Sequence, residues 1–296
     1  MNSKHTNLEE IIAIFKSGEK ERALEQGLVA SDFYATNEHF YNIIGIIYRS
    51  LGKHDLAIEY YKRAIELSSK NPAFYNNLGN AQRDAQKIQN SIKSFKKAIK
   101  LNSSSSTYWL NLSKSFNDLH LSDSALRAAT NSIKIQKSAD AFNNIGIAFQ
   151  NNNRIEQAKN AYQAGLKLDP NSAILLTNLG KLVFNSGQHK EGLALLEKSK
   201  LTNPNFIETF YTLCEFYNKT NNLDNFKKTI TEGISNFKDD STLLIQQAQL
   251  EFRQKKFKNA EQTLKSILVE NLPLTKKLVF LEILGKTRDK LKKYPL

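Results

Sequence analysis

Glycine recurs in this chain at a fixed interval and in constant company. Tyr41-Asn-Ile-Ile-Gly45, Tyr75-Asn-Asn-Leu-Gly79, Phe142-Asn-Asn-Ile-Gly146 and Leu176-Thr-Asn-Leu-Gly180 share one pattern. Their glycines lie 34, 67 and 34 residues apart, and 67 is 34 plus 33, with Ser113 at the intermediate step. Continuing the register reaches Cys214 and Ala248, so the position is small at every step. A second small column follows twelve residues later and reads Ala57, Ser91, Ala125, Ala158, Gly192, Phe226 and Ala260, with Ala23 one repeat earlier. A third reads Ala30, Ala64, Ala98, Ser132, Gly165, Ser199, Gly233 and Ile267. Large residues lie between: Tyr41, Tyr75, Trp109, Phe142, Leu176 and Phe210 in one column, Tyr61, Phe95, Tyr162 and Leu196 in another.

A period of this length excludes most folds. Within each unit the apolar residues have helical spacing, as in Ile58, Tyr61, Ala64 and Ile65. Two helices of roughly 12–14 residues joined by a short turn fill one period. Small residues let backbones approach where helices cross, and the aromatics fill the adjoining grooves. One unit cannot bury its own face, so neighbours must stack. The pattern predicts no strands.

The iterated motif resembles the tetratricopeptide repeat. It has a large residue at position 4, Leu or Ile at 7, Gly at 8 and Ala at 20 and 27, and Asp169-Pro170-Asn171 and Asn203-Pro204-Asn205 match that family's turn between repeats. The resemblance covers nearly the whole chain and implies an all-α, right-handed superhelical solenoid forming a single domain. The repeats fall at about 4–37, 38–71, 72–105, 106–138, 139–172, 173–206, 207–240 and 241–277. Repeat 7 departs most, with Phe226 in a small column where Cys214 and Gly233 are expected to make room. Residues 278–296 read as an incomplete ninth repeat or a capping helix, with Leu281, Leu284 and Gly285 in register and Leu278, Leu281 and Leu284 expected to anchor it. Lys292 to Leu296 read as a turn leading onward, so a fragment of a longer chain is expected.

The residues also narrow the chemistry. There is one cysteine, Cys214, in a core column, where a buried, inert thiol is expected. The five histidines are scattered, and His54 and His189 share a repeat position in the expected turn between helices. No metal-ligand spacing, Walker loop or dinucleotide fingerprint is present. A protein without catalytic activity, metal or cofactor is expected. No signal core or membrane-length apolar run is found, so a cytoplasmic, non-membrane protein is expected. The net charge is +13. Residues 51–100 hold ten Lys/Arg against four Asp/Glu, and Lys93, Lys96, Lys97 and Lys100 form a stripe expected to face solvent.

The resemblance implies that first helices line a concave groove, with positions 2, 5, 6, 9 and 12–13 facing it. Position 6 reads Ile43, Asn77, Asn111, Asn144, Asn178, Thr212 and Gln246. Asn42, Asn76 and Asn143 at position 5 and Asn80 at position 9 thicken this asparagine ladder. A carboxamide offers a donor and an acceptor in one plane, matching the backbone of an extended peptide whatever its side chains. Stacked helices about 10 Å apart would meet roughly every third residue of such a ligand. Arg49 and Arg83 at position 12 are placed to meet acidic partner side chains, with Asp84 and Asp118 as further neighbours, and Phe184 and Phe252 are expected as exposed anchors. The ladder is similar to that of O-linked N-acetylglucosamine transferases and of repeat regions preceding bacterial sulfotransferase domains. The expected function is a scaffold binding an extended protein or peptide segment. The alternative is the substrate-recruiting region of a larger glycosyl- or sulfotransferase. The groove columns are amide-rich rather than basic and aromatic, which argues against a nucleic-acid partner.

Overall fold

The computed structural model describes residues 7–269 and 272–293. Among these, every regular element is helical, and seventeen helices follow one another in pairs. The chain divides into two compact units, the first ending at Gly165 and the second beginning at Leu166.

The first unit contains α1 (Leu8–Lys16), α2 (Lys20–Val29), α3 (Glu38–Ser50), α4 (His54–Leu67), α5 (Pro72–Asp84), α6 (Ile88–Leu101), α7 (Ser106–Asp118), α8 (Ser122–Ile135), α9 (Ala139–Asn151) and most of α10 (Ile155–Leu168). Odd-numbered helices open each repeat and even-numbered ones close it. Helix α3 shows why the segments coil: Phe40, Ile44, Ile47 and Tyr48 lie at i, i+4, i+7 and i+8, and all are buried. Its partner α4 answers with Ala57, Ile58, Tyr61 and Ala64. A fully buried side chain as large as Phe40 or Tyr61 contributes roughly 1.5–3 kcal/mol.

The small columns do what close helix crossing demands. A Cβ on Gly45 would lie 2.7 Å from the Tyr61 ring, and one on Gly79 would lie 2.6 Å from Phe95. Tyr162 lies on Gly146 in the same way, and in the second unit Leu196 lies on Gly180. Each covering residue follows its glycine by sixteen positions. The large column at position 4 has a second task. Tyr41 Oη donates to the Ala35 carbonyl at 3.1 Å, Tyr75 Oη to Ser69 at 3.2 Å and Trp109 Nε1 to Ser103 at 2.9 Å. Each ring thus clasps the turn that precedes its repeat. Asn37, Asn71 and Ser138 cap the first helices by accepting from Phe40, Ala73 and Ala141 amides, each worth about 0.5–2 kcal/mol.

The turn within each repeat carries a period that the residue types conceal. Gly18, Gly52, Gln86, His120, Asn153, Gly187, Asn221 and Lys255 all have positive φ, between 54° and 96°. They are spaced 33 or 34 apart. The next residue's amide then reaches back five residues: Lys53 to Tyr48 at 3.0 Å, Lys87 to Gln82 at 2.7 Å, Leu121 to Phe116 at 2.9 Å. This left-handed cap ends the first helix and aims the second. His54 and His189, expected in this turn, instead begin α4 and a helix of the second unit.

The second unit contains the end of α10, then α11 (Ala173–Asn185), α12 (His189–Thr202), α13 (Ile207–Lys219), α14 (Leu223–Asn236), α15 (Ser241–Arg253), α16 (Phe257–Lys265) and α17 (Leu274–Lys293). Phe226 is fully buried beside Cys214. Gly233 makes room for Leu243 and Phe210 rather than for Phe226. Phe184, expected to be exposed, is 4% exposed and stacks on Phe216 with centroids 3.7 Å apart. Helix α17 also corrects an expectation. Phe280, Ile283 and Thr287 are its buried residues, whereas Leu278 and Leu281 are 61% and 56% exposed. A one-residue change of helical phase separates the two faces, and no second helix covers the outer one among the described residues.

Candidate functional site: the first-helix face

In the first unit α3, α5, α7 and α9 lie side by side, and one face of each carries the polar columns. On α5, Phe74, Leu78 and Ala81 face the core while Asn76, Asn77, Asn80, Arg83 and Asp84 share the half-buried opposite side. The asparagines do not stand apart. Asn77 Nδ2 donates to Asn42 Oδ1 at 2.9 Å, and Asn111 Nδ2 donates to Asn76 Oδ1 at 2.9 Å. Position 6 of one repeat therefore binds position 5 of the repeat before it. Asn144 is buried, and its Nδ2 reaches the Leu110 carbonyl at 3.4 Å. Asn143 lies beside it on α9 and is half-buried, as is Asn178 on α11 in the second unit. Both have partners of their own.

A second ladder runs beside the first. Arg49 Nε pairs with Asp84 Oδ2 at 2.6 Å, and Arg83 Nε and Nη2 pair with the two Asp118 oxygens at 2.5 and 3.3 Å. The arginines expected to await an acidic partner thus already meet carboxylates of this chain. Both pairs span 35 residues, as do both asparagine pairs. That interval, one repeat plus one residue, is the signal by which sequence could have found them. The arginine column stops at Asn117, which is buried and donates through Nδ2 to the Asn144 carbonyl at 2.9 Å. Its Oδ1 is buried without a partner among the described residues. An open depression of about 600 Å³, lined by His54, Arg83, Asp84, Gln86 and Asp118, adjoins the ion pairs.

Models of the TPR repeat match residues 45–86, and models of the tetratricopeptide repeat match 72–105 and 139–172. The chain is a tetratricopeptide-repeat protein. Solved structures agree at the level of fold. The Cut9-Hcn1 hetero-tetramer of the APC/C superposes with a TM-score of 0.62 at 15% identity, over 97% of this chain. This chain spans only 57% of that one. A tetratricopeptide repeat protein from Parabacteroides merdae gives 0.63 at 16% identity, over 85% of this chain and 98% of its own. The C-terminal part of a TPR repeat-containing protein from Cytophaga hutchinsonii gives 0.53 at 14% identity, over 81% and 99%. No curated protein matches this sequence.

Within this tetratricopeptide-repeat frame, the described residues contain no group of three or more His, Cys, Asp or Glu able to hold a metal ion. No helix among them is long and apolar enough to cross a membrane. Cys214 is buried, and burial pushes its thiol up to about 12. The thiolate needed for nucleophilic chemistry is therefore scarce at neutral pH.

Proposed function

We propose that the first-helix face of the first unit binds an extended polypeptide segment through its backbone, and that the chain contributes binding rather than catalysis. The observation that carries this reading is the interlocked amide ladder, Asn42 to Asn77 and Asn76 to Asn111, at 2.9 Å each. A free asparagine side chain loses rotamer freedom when a ligand binds. These amides have already lost it, which lowers the cost of association. Each retains a second N–H and further lone pairs for a ligand. The ion pairs beside them hold the charges at defined places, so a partner of matching sequence is selected electrostatically. The similarity to the recruiting regions of transferases rests on these same asparagines.

The test is a double substitution, Asn77→Ala and Asn111→Ala, measured against peptides selected on the native chain from a random library. Losing about 0.5–1 kcal/mol per amide weakens binding roughly fivefold to thirtyfold. N-methylation of the peptide backbone should mimic that loss. The reading would be refuted if the selected peptides bound the double variant as they bind the native chain, and if their N-methylated forms bound the native chain equally well.

A further inference from the structure

Among the differences between the second helices of repeats 2 and 4, one lies against two aromatics of the first helix. In repeat 2, Tyr60 of α4 lies between Tyr41 and Tyr48, with ring centroids 6.1 and 5.1 Å away. In repeat 4 the two flanking aromatics are kept as Trp109 and Phe116, but the residue in the place of Tyr60 is Ala128. Beside Ala128 lies a hollow of about 380 Å³, with Trp109, Leu112 and Phe116 of α7, Ile99 of α6 and Ala128 of α8 in its wall. Trp109 is held in place by its bond to the Ser103 carbonyl, so the wall is fixed.

The charge around this hollow is one-sided. Lys93, Lys96, Lys97 and Lys100 are all exposed on α6, which carries no aspartate or glutamate. Lys96 lies at the rim, its Nζ 5.8 Å from the centre of the Phe116 ring. None of the four has a carboxylate partner among the described residues. Four adjacent cations without carboxylate partners form a focused positive field, and the hollow beside them is walled by aromatic and aliphatic side chains.

We propose that this hollow is a second docking site, which takes an acidic polypeptide segment that inserts one aromatic side chain between Trp109 and Phe116 while its carboxylates meet the lysine stripe. The molecule supplies its own precedent, since Tyr60 occupies the equivalent space in repeat 2. The site lies apart from the asparagine ladder and stands or falls independently of it.

Trp109 is the single tryptophan of the chain, so its emission reports on the hollow directly. The probe is a short peptide of aspartate, glutamate and serine with one central phenylalanine, and its alanine counterpart is the control. The phenylalanine peptide should shift Trp109 emission saturably and bind about tenfold tighter than the control. A128Y fills the hollow as Tyr60 does, and should reduce the phenylalanine peptide to the level of the control with the helical circular dichroism intact. K93Q/K97Q/K100Q should weaken both peptides and flatten the salt dependence. Substituting Asn77 and Asn111 should change neither. Equal binding of the two peptides, an unmoved Trp109 emission or an unaffected A128Y would overturn the proposal. So would binding of anionic vesicles or RNA, or self-association of the chain, at the stripe in place of the peptide.

Discussion

Gln86, His120 and Lys255 hold a left-handed backbone where Gly18, Gly52 and Gly187 hold it in other repeats. A side chain there meets its own carbonyl, at a cost of roughly 1–2 kcal/mol. Gln86→Gly should therefore stabilise the chain by about 0.5–1 kcal/mol after the added freedom of the unfolded glycine is offset. Gly52→Ala should destabilise it by about 1 kcal/mol, although its Cβ would meet nothing within 4 Å. Urea titration distinguishes the two, and a shift of the same sign in both would refute the conformational argument. Burial also acts through titration. The Cys214 thiol is pushed up to about 12 from an ordinary 9.0, and burial pushes the Tyr60 hydroxyl up to about 12 from 10.0. Both groups are neutral when folded in the range where the unfolded chain ionises. The stability they contribute is complete below pH 9 and is lost as pH rises towards 12. The melting temperature should fall across that window, and Cys214→Ala should lessen the fall.

At the scale of the element, α17 is the informative helix. Its inner side, with Phe280, Ile283 and Thr287, is buried, while its outer side presents Leu274, Leu278, Leu281 and Gly285. Gly285 matches the glycines at position 8, yet a Cβ there would meet nothing within 4 Å. The ring that covers Gly45 or Gly79 has no counterpart among the described residues. A helix held on one side opens more readily than one packed on both. Hydrogen exchange should rank α17 faster than α3 to α8. Phe280→Ala should cost about 2–4 kcal/mol and Leu281→Gln less than about 0.5 kcal/mol. Equal costs would mean that the two faces have been exchanged.

At the scale of the molecule, stability in a repeat array is a sum of local and nearest-neighbour contributions, so the parts need not melt together. The sole tryptophan, Trp109, lies in the first unit and the sole cysteine, Cys214, in the second. Denaturant midpoints read from Trp109 emission and from Cys214 labelling should differ. Coincident midpoints would show the two units unfolding as one.

The helical hairpins, their period and the core columns were legible from sequence because each is a local consequence of residue size and helical spacing. Tyr61 over Gly45 and Phe95 over Gly79 follow from the period alone. The asparagine and arginine columns were legible as columns, but their pairing was not. Whether Asn77 meets a ligand or Asn42 depends on how far one helix is shifted along the next, and only packing decides that. The same holds for Phe184, polar-face by position yet buried by its stack on Phe216. It holds also for α17, whose buried face is set by the helix it lies on, and for the turn residues Gln86 and Lys255, whose left-handed backbone is imposed by the two helices they join. The hollow at Ala128 is the sharpest case. A missing tyrosine is visible in the sequence only as an alanine, and becomes a space when Trp109 and Phe116 stand on either side of it.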